Sequence, residues 1–122
     1  MSEHEELPGP TLWVEIRMVG EVAVVAIRGE VDTDTAAQLA AAVRGGLERT
    51  RAGYCILDLT DVRFLGGAAL ETLAATSREA ENRREPLRIV VDANRPVIRP
   101  LEITGLEKVL ALYHTVEEAL IG

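Results

Sequence analysis

With a single cysteine, Cys55, the chain can form no internal disulfide, so packing must hold it together. Histidine is nearly absent too. His4 and His114 are the only two, and with one cysteine they give no zinc-ligand spacing. The serines are Ser2 and Ser77, and neither has a histidine or a paired acid placed to make it a nucleophile. There is no Walker motif and no Gly-x-Gly-x-x-Gly after a strand. These gaps argue against an enzyme and lead to the expectation of no metal and no cofactor. Lysine is reduced to Lys108, and the net charge is −7. A nucleic-acid or anionic-membrane surface needs clustered cations, so neither partner is expected. An acidic domain of this kind suits basic or apolar partner surfaces. No apolar run approaches the length of a membrane span. The start, Met1 to Glu6, lacks a signal peptide's basic and apolar blocks, so a cytoplasmic location is expected.

What is present is aliphatic. Aromatics make up 3% of the chain and hydrophobic residues 48%, so the core must be Val, Leu, Ile and Ala. A length of 122 residues fits one domain. Residues 1–10, closed by Pro8-Gly9-Pro10, are expected to be a flexible tail, with the domain over 11–122. Leu12, Val14, Ile16 and Met18 alternate with Trp13, Glu15 and Arg17, the pattern of a half-buried strand. After a turn at Val19-Gly20-Glu21, the run Val22 to Ile27 is apolar throughout, as in a strand covered on both faces. The two strands form a hairpin. Gly29 is expected to end the second.

Thr35 and Gln38 have capping-box spacing at the start of a helix through Leu39, Val43 and Leu47. Gly45-Gly46 weakens its last turns. Tyr54 to Leu59 is a further buried strand, and Asp61-Val62-Arg63 is expected to be a turn. A second helix shows Leu70, Leu73, Ala74, Ser77 and Ala80 on one face, and Pro86 ends it. Leu87 to Val91 is a strand. A short helix anchored by Val97, Ile98, Leu101 and Ile103 ends near Gly105. A last strand over 109–112 precedes a helix capped at Thr115. The order β-β-α-β-α-β-α-β-α predicts a mixed, mostly parallel sheet of four to five strands with an N-terminal hairpin, packed against about four helices.

The most distinctive segment is Phe64-Leu65-Gly66-Gly67-Ala68-Ala69-Leu70, where a strand turns into a helix. Small residues there allow close packing of helix on sheet. They also leave the helix without a Ser, Thr, Asp or Asn cap, a loss of about 1 kcal/mol. Glu71 and Thr72 are expected to offset this in part. The outcome is a flat patch of backbone N–H groups suited to a partner surface. Asp32 and Asp34 are read as charges at a helix start in preference to a magnesium site. Cys55, inside a buried strand, is read as a core residue.

Three further segments carry a resemblance. They are Gly29-Glu30-Val31-Asp32, Leu57-Asp58-Leu59-Thr60-Asp61-Val62-Arg63-Phe64-Leu65, and Leu101-Glu102-Ile103-Thr104-Gly105-Leu106, with Glu118-Ala119-Leu120 closing the chain. In this order the sequence resembles a STAS domain of the anti-sigma factor antagonist class, from about Leu12 onward. The resemblance implies an α/β STAS-like fold and a non-enzymatic binding module. Such modules dock an anti-sigma factor of kinase fold and so release a sigma factor. It also implies a kinase-modified serine in Asp-Ser-(Ser/Thr/Ala)-Gly at the start of the second helix. Here those four positions are Gly66, Gly67, Ala68 and Ala69, followed by a retained Leu70. No phosphate can be esterified at Gly67 or Ala68, and Thr72 is an outside candidate. The docking face implied is Glu30, Asp32, Thr33 and Asp34 together with Gly66, Gly67, Ala68, Ala69, Leu70 and Glu71. The chain is expected to be a monomer or weak homodimer. The alternative is a STAS-type signalling scaffold or small-ligand sensor acting through self-association.

Overall fold

The computed structural model describes residues 11–122; the expected tail lies outside them. The elements are β1 (Trp13–Val19), β2 (Val22–Val31), α1 (Ala36–Arg49), β3 (Cys55–Leu65), α2 (Gly67–Asn82), β4 (Leu87–Val90), α3 (Arg95–Thr104), β5 (Ala111–Tyr113) and α4 (Val116–Ile121). A single 3-10 turn, Leu106–Lys108, lies between α3 and β5. The five strands lie in chain order across one sheet. β1 is antiparallel to β2, and every later pairing is parallel. The predicted order and architecture are therefore present.

Because each crossover steps to the next strand in the same direction, right-handed connections place α1, α2 and α3 on one face. That face holds the main core. Ala23, Val25 and Ile27 of β2 meet Cys55, Leu57 and Leu59 of β3, with Leu39, Val43, Leu73 and Leu101 packed above them. Fully buried leucines such as Leu39 and Leu57 each contribute roughly 1.5–3 kcal/mol. The alternate residues Val22, Val24, Ile56 and Val90 point to the other face, where Ala119 of α4 covers them. The continuous apolar runs thus serve two faces, as expected from their lack of alternation.

Several local expectations are corrected. Gly29 does not end β2. The strand continues to Val31, and Gly29 sits at φ +117 beside a break in register with β3, where glycine tolerates the bulge. Asp61-Val62-Arg63 is not a turn. Arg28 pairs with Asp61 and Gly29 with Val62, so the longer β2 carries β3 onward to Leu65. β4 pairs only with Cys55 to Asp58, which leaves the last half of β3 open on that side. Asn94 fills part of the gap: its Nδ2 donates to the carbonyls of Leu59 (2.9 Å) and Val62 (2.8 Å). Leu12, just before β1, is buried and Ile16 packs on the core, but Val14 and Met18 lie exposed on this edge strand. Ile103 is no anchor, being 71% exposed, whereas Val97 and Leu101 are fully buried. The last strand begins at Ala111, later than expected.

Candidate functional site

Two chain segments meet at the ends of β2 and β3. The first is the loop after β2. Thr35 was expected to cap α1 with Gln38, and that expectation fails. The Thr35 hydroxyl donates to the carbonyl of Glu30 (2.8 Å) and accepts from the amide of Asp32 (3.1 Å). Gln38 turns away, and its Oε1 accepts from the amide of Leu12 at 2.8 Å. The carbonyl of Asp32 accepts from the amides of Thr35 (3.0 Å) and Ala36 (2.8 Å). Thr35 is buried, while Asp32, Thr33 and Asp34 stand out to solvent. A buried hydroxyl therefore ties the loop into one shape, and the acids are presented on its outside.

The second segment is the start of α2. The amide of Gly66 donates to the carbonyl of Val31 (2.8 Å), and the amide of Leu70 donates to the carbonyl of Gly66 (3.0 Å). The sheet ladder thus passes directly into the helix, with Gly66 as its N-cap. No side chain caps that end, in line with the composition of the turn. The expected compensation from Glu71 is absent, because the first turn holds no acid. A carboxylate arrives from elsewhere instead. That of Asp32 lies against Gly66, in the space a β-carbon on residue 66 would occupy. It stands near the positive end of the helix dipole, where negative charge is favoured.

The structure sorts the proposed docking residues. Asp32, Thr33, Asp34 and Glu30 share one cavity of about 360 Å³, walled on its far side by Phe64. Gly67 is open, with nothing near an added β-carbon. Ala68 and Leu70 are half-buried and Glu71 is exposed. Ala69 is fully buried and offers a partner no surface. The core stripe of α2 is Ala69, Leu73, Thr76 and Ala80, one position away from the expected one at its start. Thr72 is half-buried, and its carbonyl accepts from the Thr76 hydroxyl at 2.8 Å.

Phe64 belongs to this surface and was not among the expected contact residues. It is 48% exposed, although it is the only phenylalanine in the chain. Alternation along the strand would place Phe64 on the same face as the buried Val62. The register break, in which Gly29 pairs with Val62 but Glu30 with Phe64, turns it outward, and nothing local in the sequence signals that break. Among the described residues, no group of three or more His, Cys, Asp or Glu converges as a metal site. No helix there is long and apolar enough to cross a membrane.

The family model for the STAS domain matches residues 14–119. The chain belongs to the STAS domain family. This STAS domain is 38% identical over 102 residues to the anti-sigma-F factor antagonist RsfB of Mycobacterium tuberculosis, a match that covers 83% of this chain and 80% of RsfB. It also superposes on the crystal structure of an anti-sigma factor antagonist from Mycobacterium paratuberculosis. That comparison has a TM-score of 0.78 and 31% identity, and covers 90% of this chain and 92% of the other. The anti-sigma factor antagonist SpoIIAA in its unphosphorylated form shares the fold, with a TM-score of 0.68 at 18% identity over 88% of this chain and 93% of that one. Both mycobacterial relatives of this STAS domain are anti-sigma factor antagonists.

Proposed function

We propose that this STAS domain binds an anti-sigma factor of kinase fold through the corner formed by the 30–35 loop and the start of α2. Binding there frees a sigma factor. The observation that carries the reading is the pairing of Asp32 with Gly66. A fixed acidic loop and a bare helix end form one continuous surface, at the position where the family resemblance puts its switch. Gly67 and Ala68 take the place of the modified hydroxyl residues, so docking is not turned off by phosphate at that position. In a family member that keeps the serine, phosphate adds roughly −1.5 to −2 charge and disrupts a close-fitting interface by repulsion and desolvation. This chain stays competent to bind and is governed by its abundance or by another signal.

Titration of purified anti-sigma factors from the source organism tests the reading. Wild type is expected to bind one of them. Gly67→Asp places a carboxylate in open space, so the fold is retained. Its affinity is expected to fall roughly tenfold or more if the turn sits in the centre of the interface. Equal affinities for wild type and variant remove the turn from the interface.

A further inference from the structure

Helix α3 carries a second apolar stripe that the core does not use. Val97 and Leu101 are its buried pair. Pro96, Pro100 and Ile103 lie on a different side and, with Phe64 and Leu70, line an open groove of about 550 Å³. Pro100 lies inside the helix and has no N–H to give to the carbonyl of Pro96, a costly choice for a surface with no use. Ile103 is 71% exposed at the end of the groove.

The rim of the groove is basic, in a protein of net charge −7. Arg95 and Arg99 stand one helical turn apart on it. Arg95 reaches Glu102 at 3.5 Å, with both side chains largely exposed, while Arg99 has no ion pair among the described residues. On the other side of Phe64 lie Glu30, Asp32 and Asp34. Phe64 is a wall of both cavities. The surface therefore runs from acidic, through apolar, to basic.

We infer that the groove receives an apolar side chain of the same protein partner that docks on the Asp32 corner, flanked on the partner by carboxylates that meet Arg95 and Arg99. The inference rests on the reading of the corner as a docking site and extends it to partner choice. A matching partner carries its charges in the reverse order, with cations toward the loop and anions toward α3. Charge order of this kind rejects partners with the wrong pattern and sets the encounter rate.

The test uses Arg99→Glu and Ile103→Ser, both at exposed positions, with the thermal unfolding of each compared with wild type. Titration against the anti-sigma factor bound by wild type is expected to show each variant weakened by roughly tenfold or more at unchanged melting temperature. Arg99→Lys is expected to retain most of the affinity. Wild-type binding by both Arg99→Glu and Ile103→Ser overturns the groove and leaves the corner standing. Sedimentation showing a wild-type dimer that Ile103→Ser dissolves assigns the groove to a second copy and likewise overturns the inference. Failure of wild type to bind any anti-sigma factor overturns the corner, and the groove with it.

Discussion

The carboxylate of Asp32 occupies the place that the β-carbon of residue 66 would fill, and Gly66 is what admits it. The backbone of Gly66 gives no other reason for glycine, since its φ of −88 and ψ of −176 are open to any residue. What blocks a side chain is the tip of a flexible, exposed acid. Gly66→Ala is therefore expected to swing Asp32 aside at a cost below about 1 kcal/mol.

Gly66→Asp is a sharper case, because two carboxylates then compete for one site. The expected result is a larger loss of stability, relieved when Asp32→Ala is added. A coupling of about 1 kcal/mol in a double-mutant cycle by urea unfolding is the predicted signature. Strict additivity of the two changes would show that the side chains do not meet.

This relationship marks the limit of what the sequence discloses. The order of elements, the two-faced strands and the bare start of α2 were all legible, because hydrophobic period and capping residues are local signals. The closeness of Asp32 and Gly66 was not, since it depends on how β2 and β3 are extended. Asp61-Val62-Arg63 looks like a turn when read alone, and only the partner strand makes it a strand. Likewise, Thr35 and Gln38 had the right spacing for a reciprocal cap, but each found a different partner. The stripe on α3 that lines the groove could have been seen from the spacing of Pro96, Pro100 and Ile103. It was masked because Ile103 also suits a core position.

The two adjacent glycines of α1 are predicted to behave differently. A β-carbon on Gly46 would run into Val25 and lie 2.9 Å from the Cys55 sulfur, both fully buried. Overpacking there costs roughly 1–3 kcal/mol, which exceeds the gain of about 1 kcal/mol in helix propensity. Gly46→Ala is thus expected to be destabilising. At Gly45 the nearest atom is the end of the half-buried Ile16 side chain, at 3.0 Å. That tip can move, so Gly45→Ala is expected to be neutral or stabilising. Thermal melts of the two variants give the comparison.

Burial pushes the Cys55 thiol up to about 12, from an ordinary value of 9.0, and the charge of Glu85 adds to the rise. The folded state therefore prefers the neutral thiol. This contribution to stability is complete below pH 9.0 and is lost as pH rises toward about 12. Urea midpoints should fall over that window in wild type, and fall less in Cys55→Ala once the variant's own cavity loss is subtracted at neutral pH. The native thiol should also resist alkylation at neutral pH and react once unfolded.

The central claim is that docking on this corner is not controlled by phosphate. Its most direct measurement is the affinity for the bound anti-sigma factor before and after incubation with that factor, ATP and magnesium, with intact-mass analysis of the chain. Unchanged affinity and an unmodified mass are predicted. Phosphate on the Gly66–Thr72 segment together with loss of binding would contradict the account.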